Sequence, residues 1–251
     1  MNELFSINNK VIIITGGSGG IGNELSNKMS EQGAIIYSID KQLSKNKKQK
    51  SKVIHKKCNI LNKNQLQNIC KDIFKKHKKI DVLINCAGIT KSGKDGTEYN
   101  ESNWKETLDV NLTGAFLTSQ SVIKYMKKSK SGSIINITSI NAELGFPNNP
   151  AYVASKGGLK MLSKALAKDY GKFGIRVNNL GPGYIGTGMV KTSYENKKEY
   201  SLRKNHTILG RWGTVEDLVG PCIFLASNAS NYITGQDIYV DGGWLSNGLL
   251  T

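Results

Sequence analysis

A doubly wound α/β fold, one parallel sheet with helices on both faces, is predicted for this 251-residue chain by three observations. Short β-branched runs alternate with helical stretches along its whole length. The first of these runs feeds a glycine-rich turn that opens a helix. Neither an internal repeat nor a linker-like composition divides the chain, so residues 1–251 are read as one domain. Its 38% hydrophobic content is enough for a sizeable core.

The elements follow in order. Lys10-Val11-Ile12-Ile13-Ile14-Thr15 has the character of a strand buried on both faces of a parallel sheet. It runs into Thr15-Gly16-Gly17-Ser18-Gly19-Gly20-Ile21-Gly22, after which Ile21, Leu25, Lys28 and Met29 mark the turns of a helix ending near Gly33. Strand, glycine turn and helix N-terminus together make a cradle for a dinucleotide pyrophosphate. The glycines admit the phosphates to the backbone, while free amides and the helix dipole supply the positive end. A bare flexible loop would lack the strand before it and the helix after it.

A second strand, AIIYSI at 34–39, ends in Asp40, about 18 residues beyond Gly22. An acid at that point accepts hydrogen bonds from both hydroxyls of an adenosine ribose. It would repel a 2′-phosphate by about 4 kcal/mol per charge pair at close range and intermediate dielectric. Lys41, Lys45, Lys47 and Lys48 offset part of this repulsion, and NAD is favoured over NADP. A third strand, VIHKKC at 53–58, leads to Asn59. Later strands are expected at 81–86, 133–138, 175–180 and 237–240, with long helices over about 101–129 and 151–171. Residues 183–213 lack strong periodicity. A loop that long in a compact domain is characteristically functional, and it is read as a substrate lid.

Tyr152 and Lys156, in the string AYVASK, stand i, i+4 on one helix face, thirteen residues after Ser139. A phenol of pKa ~10 is ionised only about one part in a thousand at pH 7. Bringing it to neutrality takes roughly 4 kcal/mol of preferential stabilisation of the phenolate. A cation in a partly dry site supplies stabilisation of that kind. Tyr-x-x-x-Lys also decorates solvated helix faces, and the pair gains its weight from the glycine cradle upstream.

With these motifs in place the chain resembles the short-chain dehydrogenase/reductase family in its compact, Rossmann-like form. The carriers are TGGSGGIG at 15–22, NCAG at 85–88, VNLTG at 110–114, ITSI at 137–140, YVASK at 152–156, GPGYIGT at 181–187 and TGQDIYVDGG at 234–243. The resemblance implies cofactor contacts from Gly16, Ser18, Gly20, Ile21 and Gly22, from Asp40, Asn59 and Ile60, and from Asn85, Ala87 and Gly88. It adds Tyr152, Lys156, and the nicotinamide loop at Pro182, Gly183, Ile185 and Thr187. It also implies a catalytic set of Asn111, Ser139, Tyr152 and Lys156. Asn111 would kink its helix and hold a water in a proton relay. Ser139 would hydrogen-bond the substrate oxygen, and Tyr152 would exchange a proton with it. Lys156 would bind the nicotinamide ribose and lower the Tyr152 pKa. Hydride would pass between NAD, or NADP, and a carbinol carbon, interconverting a secondary alcohol and a ketone.

Two departures stand out. The family commonly has an acid where this chain has Asn59, whose side-chain carbonyl can still meet the adenine amine. Cys86 occupies a position often held by Asn and is read as a small buried hydrophobe.

Within the family the 150–184 stretch and the tail look most like gluconate 5-dehydrogenase-type members, which act on sugar acids and polyols. The competing reading is a 3-oxoacyl-(acyl-carrier-protein) reductase. The resemblance further implies a homo-oligomer, dimer or homotetramer, pairing the two long helices.

Thirty-five Lys and Arg against 19 Asp and Glu give a net charge of +16. That balance raises a rival class, a nucleic-acid-binding protein on the same scaffold. The excess is mostly lysine in tracts at 41–57 and 71–79, with no RNA-binding aromatic motif, and solvated faces are the simpler reading. The charge would then concentrate anionic cofactor and substrate. Cys58, Cys70, Cys86 and Cys222 show no metal or redox spacing. His55, His77 and His206 are scattered and read as surface residues, with His206 singled out because it falls in the lid. No metal is expected. No run has signal-peptide or membrane-span character, so a cytoplasmic protein is expected.

Overall fold

The computed structural model describes residues 3–43, 53–93 and 97–248; Lys45, Lys47 and Lys48 lie outside them. Seven strands form one sheet: β1 Val11–Thr15, β2 Ile35–Asp40, β3 Val53–Lys57, β4 Val82–Asn85, β5 Gly132–Ile137, β6 Ile175–Pro182 and β7 Asp237–Val240. Their order is β3-β2-β1-β4-β5-β6-β7, and every pairing is parallel. Each strand stands within two residues of its expected place.

Helices cover both faces: α1 Gly20–Glu31, α2 Lys63–His77, α3 Glu101–Leu108, α4 Gly114–Ser129, α5 Pro150–Tyr170, α6 Lys191–Glu195, α7 Lys197–His206 and α8 Val219–Ala226. Alternation along β1 divides the core. Val11 and Ile13 join Leu66 and Ile73 of α2, Val122 and Met126 of α4 and Leu166 of α5. Ile12 and Ile14 join Leu25 and Met29 of α1 and Leu218, Cys222 and Leu225 towards α8. All five β1 residues are buried, which is why the run carries no polar alternation. Each fully buried isoleucine contributes roughly 1.5–3 kcal/mol.

Local signals fix the helix ends. Asn62 caps α2 by accepting from Gln65 N at 3.0 Å, and Asn100 caps α3 by accepting from Ser102 N at 2.8 Å. Pro150 opens α5, where its missing N–H costs nothing.

The helical stretch expected over 101–129 is one run interrupted by a π turn at Asp109–Thr113. The expectation of an irregular loop over 183–213 needs correction, since α6 and α7 lie inside it. Neither buries a residue, so neither carries the apolar stripe by which a helix is recognised in sequence.

Candidate active site

Parallel strands bring their C-terminal ends to one edge, and the order reverses between β1 and β4, the switch point at which such sheets bind ligands. A cleft of about 410 Å³ opens there, lined by Gly16, Gly20, Ile21, Gly22 and Asp40 on one side. Asn59, Ile60, Ala87, Gly88 and Thr187 line the rest. The turn requires glycine at two positions. Gly16 has φ +68°, and a Cβ on it would lie 2.7 Å from Ala87 Cα; one on Gly22 would lie 2.2 Å from Gly16 O. The cradle therefore has bare backbone at the α1 N-terminus, and these residues fit a dinucleotide pyrophosphate.

The Asp40 carboxylate lines the cleft and is held by two main-chain amides. Oδ2 accepts from Ser18 N at 3.0 Å and Oδ1 from Gln42 N at 3.1 Å. Ser18 Oγ donates to Gln42 O at 2.7 Å, so this residue's hydrogens brace the turn instead of facing a phosphate. Asn59 Oδ1, expected at the adenine, accepts from Leu61 N at 3.0 Å.

Among the expected cofactor residues that do not line this cleft are Asn85, Ile185, Gly183 and Pro182, the last paired with Val240 at the end of β6. Asn85 is buried beneath the cleft, where Nδ2 reaches Asn136 Oδ1 at 2.8 Å and Ser119 Oγ at 3.0 Å. It ties β4 to β5 and α4 and is a core polar node, because its side chain points into the sheet's helix layer. Ile185 is 5% exposed, with its side chain in the core beside Leu218, leaving only its main chain for any ligand. Gly183 packs against β7, its amide donating to Val240 O at 3.0 Å.

Two of the catalytic candidates stand next to Gly88, for a Cβ there would lie 3.4 Å from Asn111 Oδ1 and 3.6 Å from Lys156 Nζ. Asn111 occupies the π turn. Its Nδ2 donates to Ile89 O at 2.9 Å and Ser155 Oγ at 3.0 Å, and its Oδ1 accepts from Ile89 N at 2.8 Å. Ser155 Oγ in turn donates to Tyr152 O at 2.7 Å. Sequence reasoning missed Ser155; its only signal was a hydroxyl inside AYVASK on the buried side of a helix.

Ser139 follows β5 in extended conformation, and its Oγ donates to Asn141 Oδ1 and accepts from Asn141 N, both at 3.1 Å. Burial pushes the Tyr152 phenol above its ordinary value, while its hydrogen bond with Ser139 pulls the other way. Lys156 is buried and donates from Nζ to Ile137 O at 2.7 Å, and its Nζ stands 5.6 Å from the Tyr152 ring centroid. Desolvation lowers its pKa to about 8. The expected depression of the phenol by this amine is therefore not met here: desolvation works against the charged form of both groups.

Over the site, Trp212 anchors an aromatic cluster. It stacks on Tyr200 at 5.5 Å and meets Tyr184 at 5.3 Å and Tyr194 at 5.1 Å, while its Nε1 donates to Tyr200 O. Arg203 lies 5.0 Å over the Tyr184 ring and pairs with Glu199 at 2.8 Å. His206 packs on Trp244 at 4.2 Å, within this cluster, whereas His77 bonds the Tyr37 hydroxyl at 2.8 Å far from the cleft. Among the described residues no cluster of His, Cys, Asp or Glu has the makings of a metal site. Cys86 borders the cleft, and burial pushes its thiol up to about 12. None of the described helices is long and apolar enough to cross a membrane.

The sequence pattern of the family described as Enoyl-(Acyl carrier protein) reductase matches residues 16–245. The 5-keto-D-gluconate 5-reductase of Escherichia coli strain K12 is 35% identical over 98% of this chain and 99% of its own length. The 3-oxoacyl-(acyl-carrier-protein) reductase of Thermotoga maritima is 34% identical over 93% and 97%. A solved gluconate 5-dehydrogenase from Burkholderia cenocepacia, in complex with NADP and tartrate, superposes with a TM-score of 0.91 at 31% identity, covering 97% and 98%. With the glycine cradle at the switch point of the sheet and such relatives end to end, the chain belongs to the short-chain dehydrogenase/reductase family of NAD(P)-dependent oxidoreductases.

Proposed function

We propose that this enzyme interconverts a secondary alcohol and a ketone on a sugar acid or related polyol, with Tyr152 as its acid/base. The observation that carries the reading is the bare glycine turn of a cleft whose lining residue Gly88 has Asn111 Oδ1 and Lys156 Nζ close beside it, 3.4 and 3.6 Å from where its Cβ would stand. The names of the Escherichia coli and Burkholderia cenocepacia relatives support the substrate class. The basic residues of the 183–213 segment, read as a substrate lid, support it independently: Arg203, placed over the Tyr184 ring, would suit a carboxylate.

When bound, the nicotinamide accepts or gives the hydride. Tyr152 takes or returns the proton at its phenolic oxygen. Ser139 Oγ, already donating to Asn141, redirects that hydrogen to the developing oxyanion. Lys156, protonated below about pH 8, would supply positive charge beside the phenol and would hold the nicotinamide ribose. Asn111 and Ser155 hold the Tyr152 main chain, so the phenol is aimed before substrate arrives. The amides at the α1 N-terminus hold the pyrophosphate.

NAD is the favoured cofactor on the strength of Asp40, although the Burkholderia cenocepacia relative holds NADP. We read the protein as a cytoplasmic homo-oligomer, dimer or tetramer. Exposed Trp104, Phe116 and Met161 on α3, α4 and α5 support self-association, and four free cysteines suit a reducing compartment.

The test is reduced-nicotinamide absorbance with NAD and NADP against gluconate-type sugar acids, polyols and acetoacetyl thioesters. Turnover of a sugar acid supports the reading. Reduction of the thioester alone replaces it with a 3-oxoacyl-(acyl-carrier-protein) reductase, the activity named for the Thermotoga maritima relative.

A further inference from the structure

A second cavity, of about 620 Å³, lies at the opposite edge of the sheet, where the strands begin. Lys10 and Asp81 immediately precede β1 and β4, and Ser133 and Arg176 are the second residues of β5 and β6. All four line this bay. Arg176 is anchored by Nη2, which donates to Leu225 O at 3.0 Å and Ser227 O at 3.3 Å, while its buried Nη1 has no acceptor. An unpaired guanidinium N–H in a buried position is costly and asks for an anionic partner.

The Lys10 amine is pushed down chiefly by burial, with Lys79 and Arg176 acting the same way and Asp81 opposing. Asp81 does not neutralise the bay. Its Oδ2 accepts from Val11 N at 2.7 Å and pairs with Lys79 at 3.0 Å. Lys10 and Arg176 are the cations that line the bay, and its carboxylate, Asp81, is already paired with Lys79, so two positive charges are left over; neither serves the chemistry at the other edge.

We propose that this bay is a binding site for a small phosphate-bearing anion, held between Lys10 and Arg176. Two excess charges match a doubly ionised phosphate, and the pairing of a planar guanidinium with an ammonium suits its oxygens. Gln236, which also lines the bay, offers an amide for a further oxygen or for an attached hydroxyl.

The experiment titrates inorganic phosphate and, separately, glycerol 3-phosphate into the whole protein by calorimetry, with NAD saturating the cofactor cleft. Saturable binding is expected, weakened about tenfold by Lys10→Gln and abolished by Lys10→Glu. Tighter binding of glycerol 3-phosphate would mark an organic phosphate as the occupant, and equal binding would mark the free ion. Lys10 keeps its main-chain bonds to Ile7 O and from Ile35 N in either variant, so the fold and turnover should survive. Arg176→Lys, which retains charge but loses the fork, should also weaken binding. Absence of saturable binding, or binding indifferent to Lys10→Glu, overturns the proposal.

Discussion

Replacing Asp40 by Asn removes one charge from the cofactor cleft and one of the two acceptors that brace its turn. The carboxylate is fixed by Ser18 N and Gln42 N, so its position relative to the bound ribose is set before the nucleotide enters. A 2′-phosphate charge about 4 Å away would meet roughly 4 kcal/mol of repulsion at an effective dielectric of 20, and about 1 kcal/mol in bulk water. Asp40 is half-buried and exposed Lys41 adjoins it, so the lower half of that range applies. Asp40→Asn should accordingly raise the NADP-to-NAD ratio of kcat/KM by about tenfold, at 1.4 kcal/mol per decade. The amide group cannot accept from both Ser18 and Gln42 with equal geometry, and the loosened turn should weaken both cofactors alike. The ratio isolates the charge. Steady-state kinetics with both nucleotides at low and physiological salt would measure it, and the shift should shrink as the Debye length falls to about 8 Å. A ratio unchanged within about twofold would refute the role given to this carboxylate.

Three further outcomes are expected. Tyr152→Phe should lower turnover by about a thousandfold or more while leaving nucleotide affinity within about twofold, as measured by fluorescence titration, because only the transferable proton is lost. Gly22→Ala puts a methyl 2.2 Å from Gly16 O, so the turn must shift, lowering both the thermal midpoint and cofactor affinity. Lys156 has a folded pKa of about 8 against an ordinary 10.5, so the unfolded chain binds the extra proton between those values. Its contribution to stability should therefore rise with pH across that window, by up to about 3 kcal/mol, and comparing urea unfolding of wild type and Lys156→Met would show whether it does.

Much of this molecule was legible in its sequence for identifiable reasons. Strands such as VIII in β1 are buried on both faces, so they appear in the sequence as short, continuous, β-branched apolar runs. The glycine turn was readable because its backbone approaches tolerate no side chain at Gly16 or Gly22. Asn85 was misplaced because a motif fixes a residue's position along the chain and not the direction of its side chain. Helices α6 and α7 were missed because they are short, expose every residue at least partly, and are held by the more distant Trp212. Ser155 was invisible because its importance lies in two hydrogen bonds across elements, which leave no periodic trace. The response of Tyr152 to burial likewise depends on how much of the phenol is covered, which spacing cannot report.

The hydrogen bonds of Asn111 have an evolutionary corollary. By spending both amide hydrogens and accepting from Ile89, its side chain rivets the π turn, the segment after β4 and helix α5 together. The reacting groups thus sit on a floor that need not rearrange when the covering segment does. Helices α6 and α7, burying no residue, can be rewritten with little penalty to that floor. In the function proposed above, substrate range could therefore drift through mutations in these helices while the proposed acid/base group keeps its support.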